Sequence, residues 1–246
     1  MRWLIDVPRT ILTVIAGVLA TVLAVAMLLV VALFNRTSPT IDRIIRGWSR
    51  VWLIMSGTRL EVDGQENVDP DRSYVVVANH LSTLDIMACL IAVPLPIRFL
   101  AKTELFKIPI LAQGMRAVGM IEVDRAARGT IHTSVNRQAK ELLASKRSLI
   151  IYAEGTRPRN GVMTRFKKGA FTMAIAGQLP VLPLTLHGSY EAWPPGQPWV
   201  HGGRITAVID QAIETEGMTH ADTGKLRDQV YEIISKRVAE KGGTVA

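Results

Sequence analysis

The sequence predicts an α/β protein with a mostly parallel sheet flanked by helices, preceded by an N-terminal membrane-helix segment. Three observations predict it. Residues 11–34 are almost wholly apolar and uncharged. From about Leu60 onward, short apolar strands alternate with helical stretches, the pattern of a largely parallel sheet. A chain of 246 residues has room for one catalytic-size domain plus an appendage.

Ile11 to Phe34 comes first. A helix of that length is about 36 Å long, against roughly 30 Å of bilayer hydrocarbon. A signal peptide would have a shorter apolar region and a small-residue cleavage site after it, and this run has neither. A core helix is rarely apolar on every side. Arg2, Asp6 and Arg9 stand before the run; Arg36, Arg43, Arg46 and Arg50, with only Asp42, stand after it. The positive-inside bias places the C-terminal side of the run, and the domain beyond it, in the cytoplasm. The one cysteine, Cys89, cannot form an internal disulfide, which fits a reducing compartment; it reads as a small buried hydrophobe.

Ile41, Ile44, Ile45, Trp48, Val51, Trp52 and Met55 recur at helical spacing, with Arg43, Arg46 and Arg50 mainly off that face. The pattern fits a helix in the headgroup layer, and equally a helix packed on the soluble domain. A hairpin of both helices dipping into one leaflet is a third arrangement. Gly57 ends this part. Residues 1–57 are therefore expected to form a membrane anchor, with an apolar helix over 11–34 and an amphipathic one over 41–55. Residues 58–246 form the α/β domain.

Within that domain the expected strands are Ser73–Ala78, Ile97–Ala101, Met120–Val123, Ser148–Tyr152, Val181–Leu186 and Arg204–Ile209. The expected helices are Ser82–Ala92, Pro109–Val118, Thr130–Ser145, Lys168–Ala176 and Thr223–Lys241. Ligands in such sheets gather at the C-terminal ends of strands. Asn79-His80-Leu81-Ser82-Thr83-Leu84-Asp85 stands just past one such end. Polar residues wedged between apolar runs must be paired. Asp85 can hold one imidazole nitrogen of His80 and leave the other as a base. The spacing also fits an ordinary strand-to-helix turn with Ser82 or Thr83 as N-cap.

Other strand ends carry cations. Glu154-Gly155-Thr156-Arg157 comes after Ser148–Tyr152; Gly155 permits close backbone approach, and Arg157 offers a planar fork for phosphate. By itself it reads as a loop with a surface arginine. Lys167 and Lys168 open a helix, where an anion would offset their unfavourable position; as solvated side chains they need no ligand. Lys102 and Arg125 come after two further strands. Pro183, in an apolar strand, either lines a groove for an apolar chain or is simply buried. The net charge of +8, from 29 Lys+Arg against 21 Asp+Glu, favours an anionic partner. No nucleic-acid motif, metal-ligand spacing or glycine-rich phosphate loop is present, so membrane lipid or a phosphorylated substrate is expected and nucleic acid is not.

In their order, Asn79 to Asp85, Gly119 to Arg125, Glu154 to Arg157 and Val181 to Leu184 resemble the four motif blocks of the glycerolipid acyltransferase family, and within it the bacterial 1-acylglycerol-3-phosphate acyltransferases. The likeness runs from about Leu60 to Ile209. The first and third blocks are specific together; the second and fourth are loose. Glu122 and Tyr152-Ala153 depart from the usual pattern, at positions bearing on acceptor preference. The resemblance implies a membrane enzyme of phospholipid biosynthesis that acylates the sn-2 hydroxyl of 1-acylglycerol-3-phosphate to phosphatidic acid. It implies His80 as general base, Asp85 as its orienter, and Arg125, Glu154, Gly155, Thr156 and Arg157 as the acceptor site, with Arg157 on the phosphate. Gly155 would bring a backbone N–H near the developing oxyanion. Lys102, Lys167, Lys168 and Pro183 are further phosphate or groove candidates. The donor would be acyl-CoA or acyl carrier protein, with no bound cofactor and no metal. The expected location is the inner membrane, with the catalytic domain on the cytoplasmic side. A different lysolipid or glycolipid acceptor is the alternative. A non-catalytic lipid-binding protein is the remote one, since its decay would be expected to remove His80 or Asp85 first.

Overall fold

The computed structural model describes residues 2–123 and 146–246. Asp124, Arg125 and the helix expected over Thr130–Ser145 lie outside the described residues. Helix α1 spans Trp3–Phe34 and α2 spans Pro39–Met55. α1 begins well before Ile11. Its early polar residues are absorbed because they have partners: Asp6 Oδ2 lies 2.7 Å from His201 Nδ1, and Asp6 Oδ1 lies 3.6 Å from Arg9. Ser38 caps α2, accepting from the Thr40 amide at 3.3 Å, with Pro39 in the first helical position.

Beyond α2 the chain builds a seven-stranded sheet. Its strands are β1 (Thr58–Asp63), β2 (Val75–Ala78), β3 (Ile97–Lys102), β4 (Ile121–Val123), β5 (Ser148–Tyr152), β7 (Val181–His187) and β8 (Gly203–Ile209). The spatial order is β1-β8-β7-β2-β5-β3-β4. All neighbours are parallel except β7 and β8. β6 (Val162–Met163) and β9 (Thr244–Val245) make a small separate pair. Helices α3 (Leu84–Ala92), α4 (Leu111–Val118), α5 (Gly169–Gly177), α6 (Ser189–Ala192) and α7 (Thr223–Glu240) complete the described α-helices. β1 is a strand the sequence did not announce: alternating Arg59 and Glu61 on an edge strand carry no apolar run.

The two sides of β2 carry separate cores. Val76 and Ala78 face α1, α2 and α3, together with Leu28, Ile41, Ile45 and Leu53. Val75 and Val77 face α5 and α7, together with Phe171, Leu226 and Val230. The apolar face of α2 is thus packed on the domain rather than spread in a headgroup layer. Trp48 Nε1 donates to Thr21 Oγ1 of α1 at 2.9 Å. Arg98 of β3 is wholly buried and ties three elements: Nε donates to Val118 O at 2.5 Å, and one terminal nitrogen reaches Asp42 Oδ1 of α2 at 2.7 Å.

α1 lies close against α2 because Gly17 faces the Trp52 ring; a Cβ there would overlap the indole. Glycine at a helix crossing permits such close approach. Gly17→Ala is expected to cost about 1–3 kcal/mol through overpacking, read as a lower unfolding temperature of the detergent-solubilised protein. An unchanged temperature would show that the helices separate freely at this point.

Candidate active site

β2 ends at Ala78, and the sheet's pairing is continued by a side chain. Asn79 Nδ2 donates to Leu186 O and Asn79 Oδ1 accepts from the Leu186 amide, both at 2.8 Å. An amide side chain can imitate a peptide group in this way. It locks the start of the turn to β7. Ser82 locks the other end, donating to Trp193 O at 2.8 Å and accepting from the Leu84 amide at 3.2 Å.

His80, between these anchors, meets Asp85, three residues beyond the second. His80 Nδ1 lies 2.9 Å from Asp85 Oδ2. The same oxygen accepts the Leu81 and Ser82 amides, each at 2.7 Å. Asp85 is fully buried in the first turn of α3, where the helix dipole favours a negative charge. With Asp85 accepting from Nδ1–H, the imidazole presents Nε2 as its basic atom.

The flat side of the imidazole is held by Tyr152, at the end of β5. The ring centroids are 3.8 Å apart and nearly parallel, at 10°. Ala78 and Tyr152 are opposite each other in the β2–β5 register. The Tyr152 hydroxyl reaches Cys89 Sγ at 3.6 Å. Burial raises both the phenol and the Cys89 thiol well above their ordinary pKa values, so neither ionises beside the imidazole. The sequence ties Tyr152 to acceptor preference; its stacking on His80 is a site role that sequence reasoning missed. Its signal, the aromatic end of a strand before Glu154, becomes informative only once β5 is known to neighbour β2.

Glu154 performs a task other than facing an acceptor. Its Oε1 accepts the His80 amide at 2.7 Å, and its Oε2 accepts the Thr164 amide and hydroxyl at 2.8 and 3.0 Å. Burial raises its pKa; the donors from Thr164 and His80 pull the other way. Gly155 adopts φ +79°, and a Cβ there would lie 2.8 Å from Lys167 Nζ. The Gly155 amide donates to Tyr152 O at 3.0 Å, so the backbone donor expected at the oxyanion is already engaged. Thr156 and Arg157 are exposed. An Arg157 terminal nitrogen donates to Thr83 Oγ1, which places its guanidinium at the His80 turn.

The remaining expected residues divide. Lys167 joins the site through Gly155, and its amide bonds Ala153 O at 2.8 Å. Lys168 is exposed at the start of α5. Lys102, at the end of β3, pairs with Glu104 at 2.8 Å. Pro183 is buried in β7 opposite Val77; its carbonyl accepts the Asp210 amide at 3.1 Å, at the end of the ladder with β8. Arg125 lies outside the described residues.

A histidine held by a buried carboxylate and an aromatic face, at the C-terminal edge of parallel strands, is an arrangement of the kind an α/β enzyme can use as a general base. The Acyltransferase family model matches residues 59–187, and the chain belongs to that family. It is 30% identical over 174 residues to human 1-acyl-sn-glycerol-3-phosphate acyltransferase alpha, covering 71% of this chain and 62% of that protein. It is 30% identical over 233 residues to the human beta enzyme, covering 91% and 83%. The crystal structure of the 1-acyl-sn-glycerophosphate (LPA) acyltransferase PlsC from Thermotoga maritima superposes with a TM-score of 0.84 at 27% identity, covering 98% of this chain and 97% of that one. The chain thus spans about three fifths of the human alpha relative and nearly all of the Thermotoga protein.

The raised pKa of Glu154 has a pH signature. A carboxyl that holds its proton more tightly when folded contributes stability below its unfolded value, and loses it as pH rises through the folded value. Between pH 4.5 and the raised pKa, wild type should lose stability relative to Glu154→Gln. Chemical denaturation of both proteins across that window measures the difference; a difference independent of pH would contradict the assigned shift.

Proposed function

We propose that this protein transfers an acyl chain from a thioester donor, acyl-CoA or acyl carrier protein, to the sn-2 hydroxyl of 1-acylglycerol-3-phosphate, giving phosphatidic acid. The observation that carries the reading is the His80 Nδ1–Asp85 Oδ2 pair. Nε2 takes the hydroxyl proton as the substrate oxygen attacks the thioester carbon. The tetrahedral intermediate then collapses, the carbon–sulfur bond breaks, and the thiol leaves with the proton returned by the imidazolium. Asp85 stabilises that imidazolium, as in a Ser-His-Asp triad with the substrate hydroxyl in place of serine. Tyr152 holds the ring plane while the charge appears, and Glu154 holds the His80 backbone. Arg157, beside the turn, is the phosphate ligand. The likeness to the human and Thermotoga 1-acylglycerol-3-phosphate acyltransferases supports the acceptor.

The same reading includes membrane attachment. Both ends of α1 touch one body: Asp6 meets His201 near the start of β8, and the Arg36 carbonyl accepts from Arg147 at 2.6 Å, just before β5. We read a helix tied at both ends to one domain, and packed between them on Trp52 of α2 and Gly114 of α4, as lying along that domain instead of crossing a bilayer. Its outward side, including Ile11, Ile15, Leu19 and Leu23, is more than half exposed and is the lipid-facing surface of a monotopic protein. Cytoplasmic exposure of the domain, at the inner membrane, accords with the unpaired Cys89.

His80→Ala and Asp85→Asn are expected to lower kcat by roughly a hundred- to ten-thousand-fold with the unfolding temperature retained, in an assay of purified protein across acyl-CoA and acyl carrier protein donors. Near-normal turnover in either variant would sink the mechanism. Arg157→Ala should raise KM for phosphorylated acceptors selectively; equal loss on acceptors lacking a phosphate monoester would remove it from the phosphate site.

A further inference from the structure

A second cationic site lies at the opposite edge of the sheet. Arg43, Arg46, Lys146 and Arg147, with Asp42 and Pro96, line a cleft of about 390 Å³ where α2 begins. Pro96 immediately precedes β3 and Arg147 immediately precedes β5, so the cleft opens at the N-terminal ends of the strands. His80 stands at a C-terminal end. β5 runs from the residue after Arg147 to Tyr152 beneath the His80 ring, a distance of about 17 Å at roughly 3.3 Å per residue.

The charge in the cleft is unbalanced. Its one acid, Asp42, is already committed to the buried Arg98 behind it at 2.7 Å. Arg98 keeps a second terminal nitrogen buried and without a partner among the described residues. Arg46 donates to the Val93 and Leu95 carbonyls at 3.2 and 3.1 Å, which fixes it at the C-terminal end of α3. Burial holds Arg46 and Arg147 below the usual arginine range; Asp42 pulls both the other way, while Arg50 and Arg98 respectively add like charge. Four cations lining one cleft with a single acid leave a positive potential there that an anion would neutralise. Arginine forks and a lysine are the residue types that hold phosphate.

The neighbourhood says which phosphate. Arg147 bonds the carbonyl of Arg36, in the turn just past Leu33 and Phe34, which are 83% and 87% exposed. Two bare apolar side chains beside a basic cleft are a tail-and-headgroup arrangement. We propose that this cleft binds the headgroup phosphate of an anionic phospholipid, at a site separate from the His80 centre. Under the proposed reaction, an acceptor's hydroxyl and phosphate sit on neighbouring carbons, too close together to reach both places. The lipid in the cleft is therefore a second molecule; this exclusion of the acceptor itself rests on that reading.

The test compares the full chain with Arg43→Gln/Lys146→Gln, both exposed positions, by co-sedimentation with phosphatidylcholine vesicles with and without phosphatidylglycerol. A control, Lys225→Gln/Lys236→Gln, removes two exposed charges from α7 on the other side of the sheet. The cleft variant should bind phosphatidylglycerol vesicles roughly tenfold or more weakly, bind phosphatidylcholine vesicles as wild type does, and retain acyl transfer to acceptor dispersed in neutral detergent. The control should bind both vesicles as wild type does. Equal losses in the two doubles would mean diffuse surface charge, and no loss would mean no site; either overturns the proposal. So does lost transfer in detergent by the cleft variant, which would merge the cleft with the reaction centre. Inorganic phosphate binding that the cleft variant abolishes, with vesicle binding unchanged, would assign the cleft to free phosphate and overturn the lipid source.

Discussion

One oxygen atom organises the centre of this molecule. Asp85 Oδ2 takes the imidazole of His80 and the amides of Leu81 and Ser82. Three donors converging on a buried carboxylate oxygen compensate much of its desolvation. They also dictate shape, because the chain from 80 to 85 must curl around that atom. The curl is possible only if its ends are fixed. Asn79 fixes one on β7, and Ser82 fixes the other on the carbonyl of Trp193. β7 in turn is held in place by its antiparallel pairing with β8, so the far half of the sheet serves the turn as much as the near half does.

The loop after β5 then reads as a cradle for that turn. Tyr152 lies against the imidazole, Glu154 grips its backbone, and Arg157 reaches the hydroxyl of Thr83. Gly155 is the hinge of the cradle, since its left-handed backbone and absent Cβ make room for Lys167. The sequence alone points this segment at a ligand. Much of its polarity is instead spent on the His80 turn, while Thr156 and Arg157 remain exposed.

The elements and the central pair are legible in the sequence because both are local. Ser148–Tyr152 is bounded by its apolar run between polar neighbours, and His80 and Asp85 stand five residues apart on one turn. The features that escape a reading of the sequence are set by distant partners. β1 has no apolar run of its own and exists by pairing with β8. Tyr152 meets His80 only through a strand order that places β5 beside β2. Arg98 sits in an otherwise apolar strand, and nothing near it in sequence forecasts a bond to Asp42 across 56 positions. The face of α2 is readable as apolar, but whether lipid or protein covers such a face depends on what α1 and the sheet offer.

The clasp between Asp6 and His201 joins positions 195 residues apart. Synthesis therefore releases α1 long before the loop that receives it exists. During that interval the helix can pack only on α2, which follows at once, and its outer side is bare. A hydrophobic segment in this state aggregates unless another surface takes it first. The outer side, with no protein partner to wait for, can partition into lipid at once, while the Gly17 side closes against α2 as soon as that helix emerges and the Asp6 end waits for His201. The order of manufacture thus favours a chain that meets the membrane before it is folded, and completes its α/β body already in place there.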